Sequence, residues 1–233
     1  MARILIACEE SQATTKEFRK LGHEAFSCDL LHCSGGHPGW HYQCDIFEVI
    51  NKGWDLMVAH PPCTFLTGSG VQWLSHPEDK ALPFEERRPH PKYPNRRNDM
   101  LDSVEFVKAL YNAPIEHIAI ENPVGLLSSR WRKPDQIVQP YMFGDEATKT
   151  TCLWLKNLPL LQPTRCIEPR IINGKKRWGN QTDSGQNRLA PSEERGMLRS
   201  KTFPGIAKAL ATQYSSFISS GLSVNEWNKT PLR

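Results

Sequence analysis

Between Arg3 and Ala59 the chain repeats one pattern, a short apolar run that stops at a polar residue and is followed by a turn or a helix-forming stretch. Arg3 to Ala7 reads as a buried strand, Cys8 to Gln12 as a polar turn, and the residues to about Leu21 as a helix that Gly22 terminates. Ala25 to Cys28 is a second strand ending in Asp29. The glycine-rich stretch Ser34 to Gly39 leads to a third near Tyr42 to Cys44, closed by Asp45, and Trp54 to Ala59 is the fourth. Strands alternating with helices are βαβ units, which predict an α/β, doubly wound, mostly parallel sheet with helices on both faces. His117 to Glu121 and Thr151 to Leu155 extend the sheet. A helix capped by Asn98 or Asp99 runs to about Tyr111, with Leu101, Val104, Val107 or Lys108, and Tyr111 on one face. Thr202 caps a last helix carrying Pro204 near its first position and Phe203, Ile206, Ala207, Leu210, Tyr214 and Phe217 at helical spacing.

In open α/β sheets ligands bind beyond the carboxyl ends of the strands. Here those ends carry Cys8-Glu9-Glu10, Asp29, Asp45, His60-Pro61-Pro62-Cys63 and Glu121-Asn122-Pro123. Cys63 follows a rigid diproline and precedes the turn Thr67-Gly68-Ser69-Gly70, a setting for an accessible thiol; a nucleophilic role needs a lowered pKa, and the other reading is an inert small apolar residue. Glu121 donates a proton to a ring nitrogen if enclosure raises its pKa, with Asn122 fixing the geometry; the alternative is a hydrogen-bonded strand-end glutamate. Asp29 is placed to accept from ribose hydroxyls and Asp45 from an adenine amine, or each caps its own strand. The fingerprint Gly-x-Gly-x-x-Gly is missing, so S-adenosylmethionine, which has no phosphate to cradle, suits these ends better than a dinucleotide.

No apolar run approaches the length of a bilayer span, and the N-terminus enters a strand without an export signal, so an intracellular chain without membrane contact is expected. The seven cysteines are odd in number and scattered, which suits reduced thiols. Cys28, His32, Cys33, His37, His41 and Cys44 include metal-ligating types but no paired Cys-x-x-Cys knuckle, so no metal is expected. The net charge is only +4, yet it is unevenly spread. From Arg165 to Lys201 nine basic residues face four acidic ones, and Arg87 to Arg97 holds five basic residues and no acid. Two such segments supply what a phosphate backbone requires, or are solvated loops. The stretch Pro61 to Arg97 is a long irregular loop, a kind usually functional.

Pro61-Pro62-Cys63, followed about sixty residues later by Glu121-Asn122, resembles the cytosine-5 DNA methyltransferases, particularly the compact versions of phage and prophage genomes. Ile4 to Ala7 with its polar turn is similar to the family's cofactor loop, although Cys8-Glu9-Glu10-Ser11-Gln12 stands where the family favours glycines. Phe143-Gly144 with Lys149 and Leu153-Trp154-Leu155 looks like its basic strand motif, with Lys149 the one cation between Ala147 and Thr151. Thr202-Phe203-Pro204-Gly205-Ile206-Ala207 is similar to the segment closing the cofactor pocket.

The resemblance implies a Rossmann-like S-adenosylmethionine-dependent methyltransferase fold with a reduced recognition segment. It implies that Cys63 adds to carbon 6 of a flipped cytosine while Glu121, helped by Asn122 and Lys149, serves ring nitrogen 3. S-adenosylmethionine is expected along Ala7, Cys8 and Glu9 after the first strand, Asp29 and Leu30 after the second, Asp45 and Ile46 after the third, and at Pro61. Arg87, Arg88, Arg96 and Arg97 on the loop, with Lys175, Lys176 and Arg177 in the recognition segment, are expected to meet DNA phosphates. The implied layout is a catalytic and cofactor domain over 1–156, a basic recognition segment over 157–200, a returning helix over 201–220 and a tail over 221–233, in the cytoplasm of a bacterial or phage-infected cell. A free pyrimidine nucleotide or RNA as substrate, or a non-catalytic methyltransferase-like DNA- or protein-binding role, are the competing readings.

Overall fold

Seven strands form the main sheet in the order β3-β2-β1-β4-β5-β7-β6. The computed structural model describes residues 1–190, 192 and 201–229; the end of the expected recognition segment, 193–200, and of the tail, 230–233, lie outside the described residues. Strands β1 (Arg3–Ala7), β2 (Glu24–Asp29), β3 (His41–Gln43), β4 (Leu56–Ala59) and β5 (His117–Pro123) run parallel. Strand β7 (Thr151–Lys156) is antiparallel to both β5 and the edge strand β6 (Gln136–Val138). From β1 the chain builds outward through β2 and β3, then returns to build the other way from β4, which makes the β1–β4 boundary the topological switch point.

Alternation along the central strands sends side chains to two cores. Leu5, Ala7, Met57, Ala59, Ile118 and Ile120 meet α2 (Arg96–Tyr111) through Met100, Val104, Val107 and Leu110. Ile4, Ile6, Leu56, Val58 and Ala119 meet α1 (Ala13–Lys20) and α4 (Pro204–Ser220) through Phe18, Ile206, Leu210, Tyr214 and Phe217. Each fully buried aliphatic or aromatic side chain contributes roughly 1.5–3 kcal/mol, so this two-sided burial is what holds the strand ends at one edge. Helices α3 (Leu127–Arg130) and α5 (Val224–Trp227) are single turns.

Four local expectations are corrected. Helix α2 begins at Arg96 after Asn95 rather than at a cap on Asn98 or Asp99, and Leu101 is 46% exposed while Met100 takes its place in the core. The N-cap of α4 is Phe203, with no side-chain hydrogen bond, so Thr202 does not cap it. Strand β6 was not expected. Nor was the hairpin of β8 (Arg170–Ile172) and β9 (Lys175–Arg177), paired Ile172↔Lys175 around Asn173-Gly174, both of which have positive φ. The loop after Cys63 is irregular as expected, relieved by 3-10 turns over Gly68–Trp73, Pro77–Ala81 and Phe84–Glu86.

Candidate active site

The sheet register sets the site. Ala7 pairs with Ala59 and Ala59 with Ile120, so Cys8 and His60, just past β1 and β4, lie level with Glu121 within β5. Prolines 61 and 62 offer no N–H to a ladder, and the gap is closed by Asn122, whose Nδ2 donates to the Pro61 carbonyl at 2.8 Å. The Cys63 carbonyl then accepts from the N–H groups of Leu66 and Thr67 at 3.0 and 3.1 Å, which curls the nucleophile loop into a turn. Leu126 N–H donates to the Leu66 carbonyl at 2.7 Å, and Thr67 bridges to Gly125. A Cβ at Gly125 would lie 2.0 Å from that carbonyl oxygen, so the crossing admits only glycine. The loop carrying the half-buried Cys63 is thereby tied to the segment leaving Glu121-Asn122 at successive points. Asn122 Oδ1 is buried with no hydrogen-bond partner among the described residues, an acceptor of the sort found where a ligand completes the network.

Glu121 is 7% exposed, and its Oε2 lies 3.2 Å from His60 Nδ1. Thr202 Oγ1 is 3.4 Å from the same nitrogen, and Thr14 Oγ1 is 3.4 Å from Nε2. Burial alone would raise the Glu121 pKa, but the hydrogen bond from His60 and the charges of Lys149 and His60 outweigh it and hold the carboxyl below its ordinary value. The expectation that enclosure raises this pKa is therefore corrected, because the burial of Glu121 comes with the His60 hydrogen bond and the Lys149 charge. Lys149 sits within electrostatic reach of Glu121, positioned through its N–H donated to Gln139 Oε1 at 3.1 Å. His60 was absent from the residues expected at the site.

At the other side of the switch point, Cys8 has a left-handed backbone, φ 58°. Its thiol is pushed up to about 12 by burial, then by the nearby carboxylates of Asp29 and Asp45, so these three strand ends lie close together. Asp29 uses Oδ1 to accept from Leu31 N–H at 2.9 Å, and Asp45 uses Oδ1 to accept from Phe47 N–H at 2.9 Å in a capping box with Glu48. Both therefore cap local turns and keep a second oxygen for another donor. Leu30 beside Asp29 is 71% exposed, whereas Ile46 and Ala7 are buried in the core. Glu9 is buried and bonded at the N-terminus of α1: its carboxylate accepts from Thr14 N–H at 2.6 Å, Thr15 N–H at 3.2 Å and Thr15 Oγ1 at 2.7 Å. Gln12, also left-handed, exchanges two hydrogen bonds with His37, from Nε2 to the carbonyl at 2.9 Å and from the N–H to Oε1 at 3.1 Å. Side chains thus pin a loop, Cys8 to Gln12, that contains no glycine.

The loop arginines expected at phosphates are bonded within the protein. Arg87 donates to the carbonyls of Leu82 and Lys80, and Arg88 grips Asp79 through Nε and Nη2. Arg96 donates to the Thr64 carbonyl at 3.1 Å and lies over Phe65, 5.2 Å from its ring centre, bracing the two residues after Cys63. Arg97 donates to the Arg87 carbonyl at 2.8 Å and stacks on Phe84. On the hairpin, Arg177 donates to the carbonyls of Asp183 and Ser184, while Lys175 and Lys176 are exposed. The hairpin docks beside Lys149: Trp178 stacks on Tyr141 with ring centres 4.7 Å apart, and the Asn180 amide both donates to Thr148 O and accepts from Thr148 N–H.

No disulfide links any of the seven cysteines, and among the described residues no group of three or more His, Cys, Asp or Glu is arranged to hold a metal ion. No described helix is long and apolar enough to cross a membrane. No family model matches the chain, and no curated protein matches it. A solved structure, that of a candidate DNA modification methyltransferase encoded within an E. coli prophage, is similar with a TM-score of 0.41 and 11% identity, over 74% of this chain and 54% of that one. The chain thus spans about half the length of that protein. Likeness of this extent assigns no role to any residue here, and the strand ends themselves must supply the function.

Proposed function

We propose that this chain is an S-adenosylmethionine-dependent methyltransferase acting on carbon 5 of cytosine in DNA. The observation that supports the reading most is the tie between the Cys63 loop and the Glu121-Asn122 strand end, made by the Asn122–Pro61 hydrogen bond of 2.8 Å at the carboxyl edge of the sheet. A thiol and a carboxylate held together beside an orphaned buried amide oxygen suit a flat, polar heterocycle. Cys63, as thiolate, adds to carbon 6, and the electron pair of the 5,6 double bond moves toward carbon 5 as ring nitrogen 3 gains a proton through Glu121. Lys149 and His60 keep Glu121 ionised in the free protein, so it first meets the base as an acceptor for the exocyclic amine. Asn122 holds the diproline, and through it the direction of the sulfur.

The strand-end cluster of Cys8, Asp29 and Asp45 suits the adenosine half of the cofactor, since two carboxylates each retain an oxygen for hydroxyl or amine donors and Leu30 offers an exposed apolar side chain. When bound, S-adenosylmethionine supplies an electrophilic methyl group. Loss of the carbon 5 proton to water, departure of the Cys63 sulfur as thiolate and return of the nitrogen 3 proton through Glu121 then restore the ring. Because carbon 6 is covered in a stacked duplex, the base must be flipped, and the exposed Lys175 and Lys176 are the residues we assign to the backbone phosphates.

The test is retention of labelled methyl on duplex DNA against deoxycytidine monophosphate, with bisulfite sequencing of DNA from expressing cells. Label on DNA that Cys63→Ser abolishes, with cofactor affinity in calorimetry unchanged, is expected. Label on the free nucleotide alone would move the substrate assignment, and methylation surviving Cys63→Ser would remove the covalent mechanism.

A further inference from the structure

We infer that His60 is a positioning residue that serves as the proton reservoir for Glu121, delivering a proton through the carboxyl to ring nitrogen 3 when Cys63 adds to the base and recovering it when the adduct collapses. The inference rests on the cytosine-5 reading and adds to it a residue outside the thiol, carboxylate and amide set.

Addition of the thiolate to carbon 6 opens the 5,6 double bond, and nitrogen 3 must take up a proton as the ring loses its conjugation. An ionised Glu121 has none to give. Two groups near it carry protons, His60 and Lys149. His60 makes a hydrogen bond to Oε2 at 3.2 Å, whereas Lys149 acts on Glu121 through its charge with no hydrogen bond between them. An imidazolium also yields its proton to a carboxylate far more readily than an ammonium, the ordinary values being about 6.5 and about 10.4.

The ring nitrogens of His60 all face oxygen atoms. Nδ1 faces Glu121 Oε2 and Thr202 Oγ1, and Nε2 faces Thr14 Oγ1, so every atom opposite a ring nitrogen is an oxygen able to accept. These oxygens come from β5, the approach to α4 and the first turn of α1. Besides Glu121 and Lys149, these elements carry Lys16 on α1 and Lys201 beside Thr202, and Glu9, just before α1, accepts from the N–H of Thr14 itself. A buried pair of this kind contributes little net stability because desolvation offsets attraction, so stability is a poor account of it.

The balance closes. As the sulfur–carbon 6 bond forms, the proton on Nδ1 moves to Glu121 and one proton moves from Glu121 to nitrogen 3; when that bond breaks and the double bond returns, both transfers reverse. No proton is consumed.

The test needs no cofactor. While the adduct lasts, carbon 5 takes a solvent proton and can release the hydrogen it carried, so DNA containing cytosine tritiated at carbon 5 loses tritium to water. Release is measured from about pH 5 to about pH 9, the range in which a histidine titrates. The parent protein should give a bell-shaped profile. His60→Gln, which keeps an amide donor toward Glu121 but stores no proton, should slow release about 100-fold and lose the alkaline limb. His60→Gly should recover with added imidazole. In the parent protein, histidine nitrogen NMR should show Nδ1 protonated in a signal that Glu121→Gln shifts, a readout independent of whether any His60 variant folds. A neutral Nε2-protonated tautomer across that range, or tritium release by folded His60→Gln at the parent rate and profile, would overturn the reservoir and leave the cytosine-5 reading standing. A parent protein that releases no tritium overturns both.

Discussion

Replacing Glu9 with alanine should destabilise the fold by about 4 kcal/mol. Helix α1 starts from Gln12, which makes no side-chain cap, so its first turn depends on the Glu9 carboxylate for the N–H groups of Thr14 and Thr15. Both threonines are fully buried, and water cannot take over. Leaving a buried donor unsatisfied costs about 1–3 kcal/mol, so two at the middle of that range give about 4 kcal/mol, before adding the loss of a negative charge at a helix N-terminus. For a chain of this size each kcal/mol lowers the melting temperature by about 2–4 °C, so the transition should fall by about 10 °C. Glu9→Gln keeps one accepting oxygen but turns an amide N–H toward a donor, and should lose about half as much. Urea unfolding followed by circular dichroism measures both, with a moved midpoint and an unchanged slope. An alanine variant within about 1 kcal/mol of the parent would refute the capping argument, as would a glutamine variant less stable than alanine.

Asp79 is held at about 2 by hydrogen bonds from the Arg88 side chain and then its backbone N–H, against an ordinary 3.8. A depressed carboxyl steadies the loop fully above its ordinary value and loses that effect as the pH falls from about 3.8 to about 2, so amide exchange around His76 and Arg88 should accelerate across that window and not above it. Gly125→Ala puts a Cβ 2.0 Å from the Leu66 carbonyl oxygen; it should destabilise by about 1–3 kcal/mol and shift the Cys63 loop, detected as altered thiol labelling, and an unchanged labelling rate would contradict the crossing. Replacing Lys175 and Lys176 together by alanine should flatten the dependence of log K on log salt by about 1.8 for duplex DNA, and an identical slope would remove both from the phosphate contacts.

What could be read in advance follows the physics of each element. Strands β1, β4 and β5 are built around the apolar runs Ile4–Ala7, Leu56–Ala59 and Ile118–Ile120, which are buried on both faces, and such runs announce themselves; so does Gly22, whose φ of 82° ends α1 as expected. Strand β6 is three residues at an edge with Ile137 facing out, too short to show a period. The β8–β9 hairpin did carry a signal, Asn173-Gly174 between β-branched and basic residues, which favours the tight turn it forms. Cys63, Glu121, Asn122 and Lys149 could be singled out from their motifs. His60 could not, because its partner is sixty-one positions away and only sheet register brings them level. The internal bonds of the loop arginines were equally hidden: a run of positive charge says nothing about the carbonyls of Leu82, Thr64 and Arg87 that fold back to meet it.

The two cores on either side of β5 leave Ala119 facing one and Ile118 and Ile120 the other, which makes the layout of the sheet's carboxyl edge a matter of odd and even. One residue inserted between His117 and Glu121 would exchange the faces of everything downstream, driving the carboxylate toward the wrong layer and opening a hole where an isoleucine belongs. Two inserted residues would restore parity but lift the acid by a strand step away from its histidine. Variation in such a chain is therefore channelled into loops beyond the strand ends, where length can change without disturbing the count.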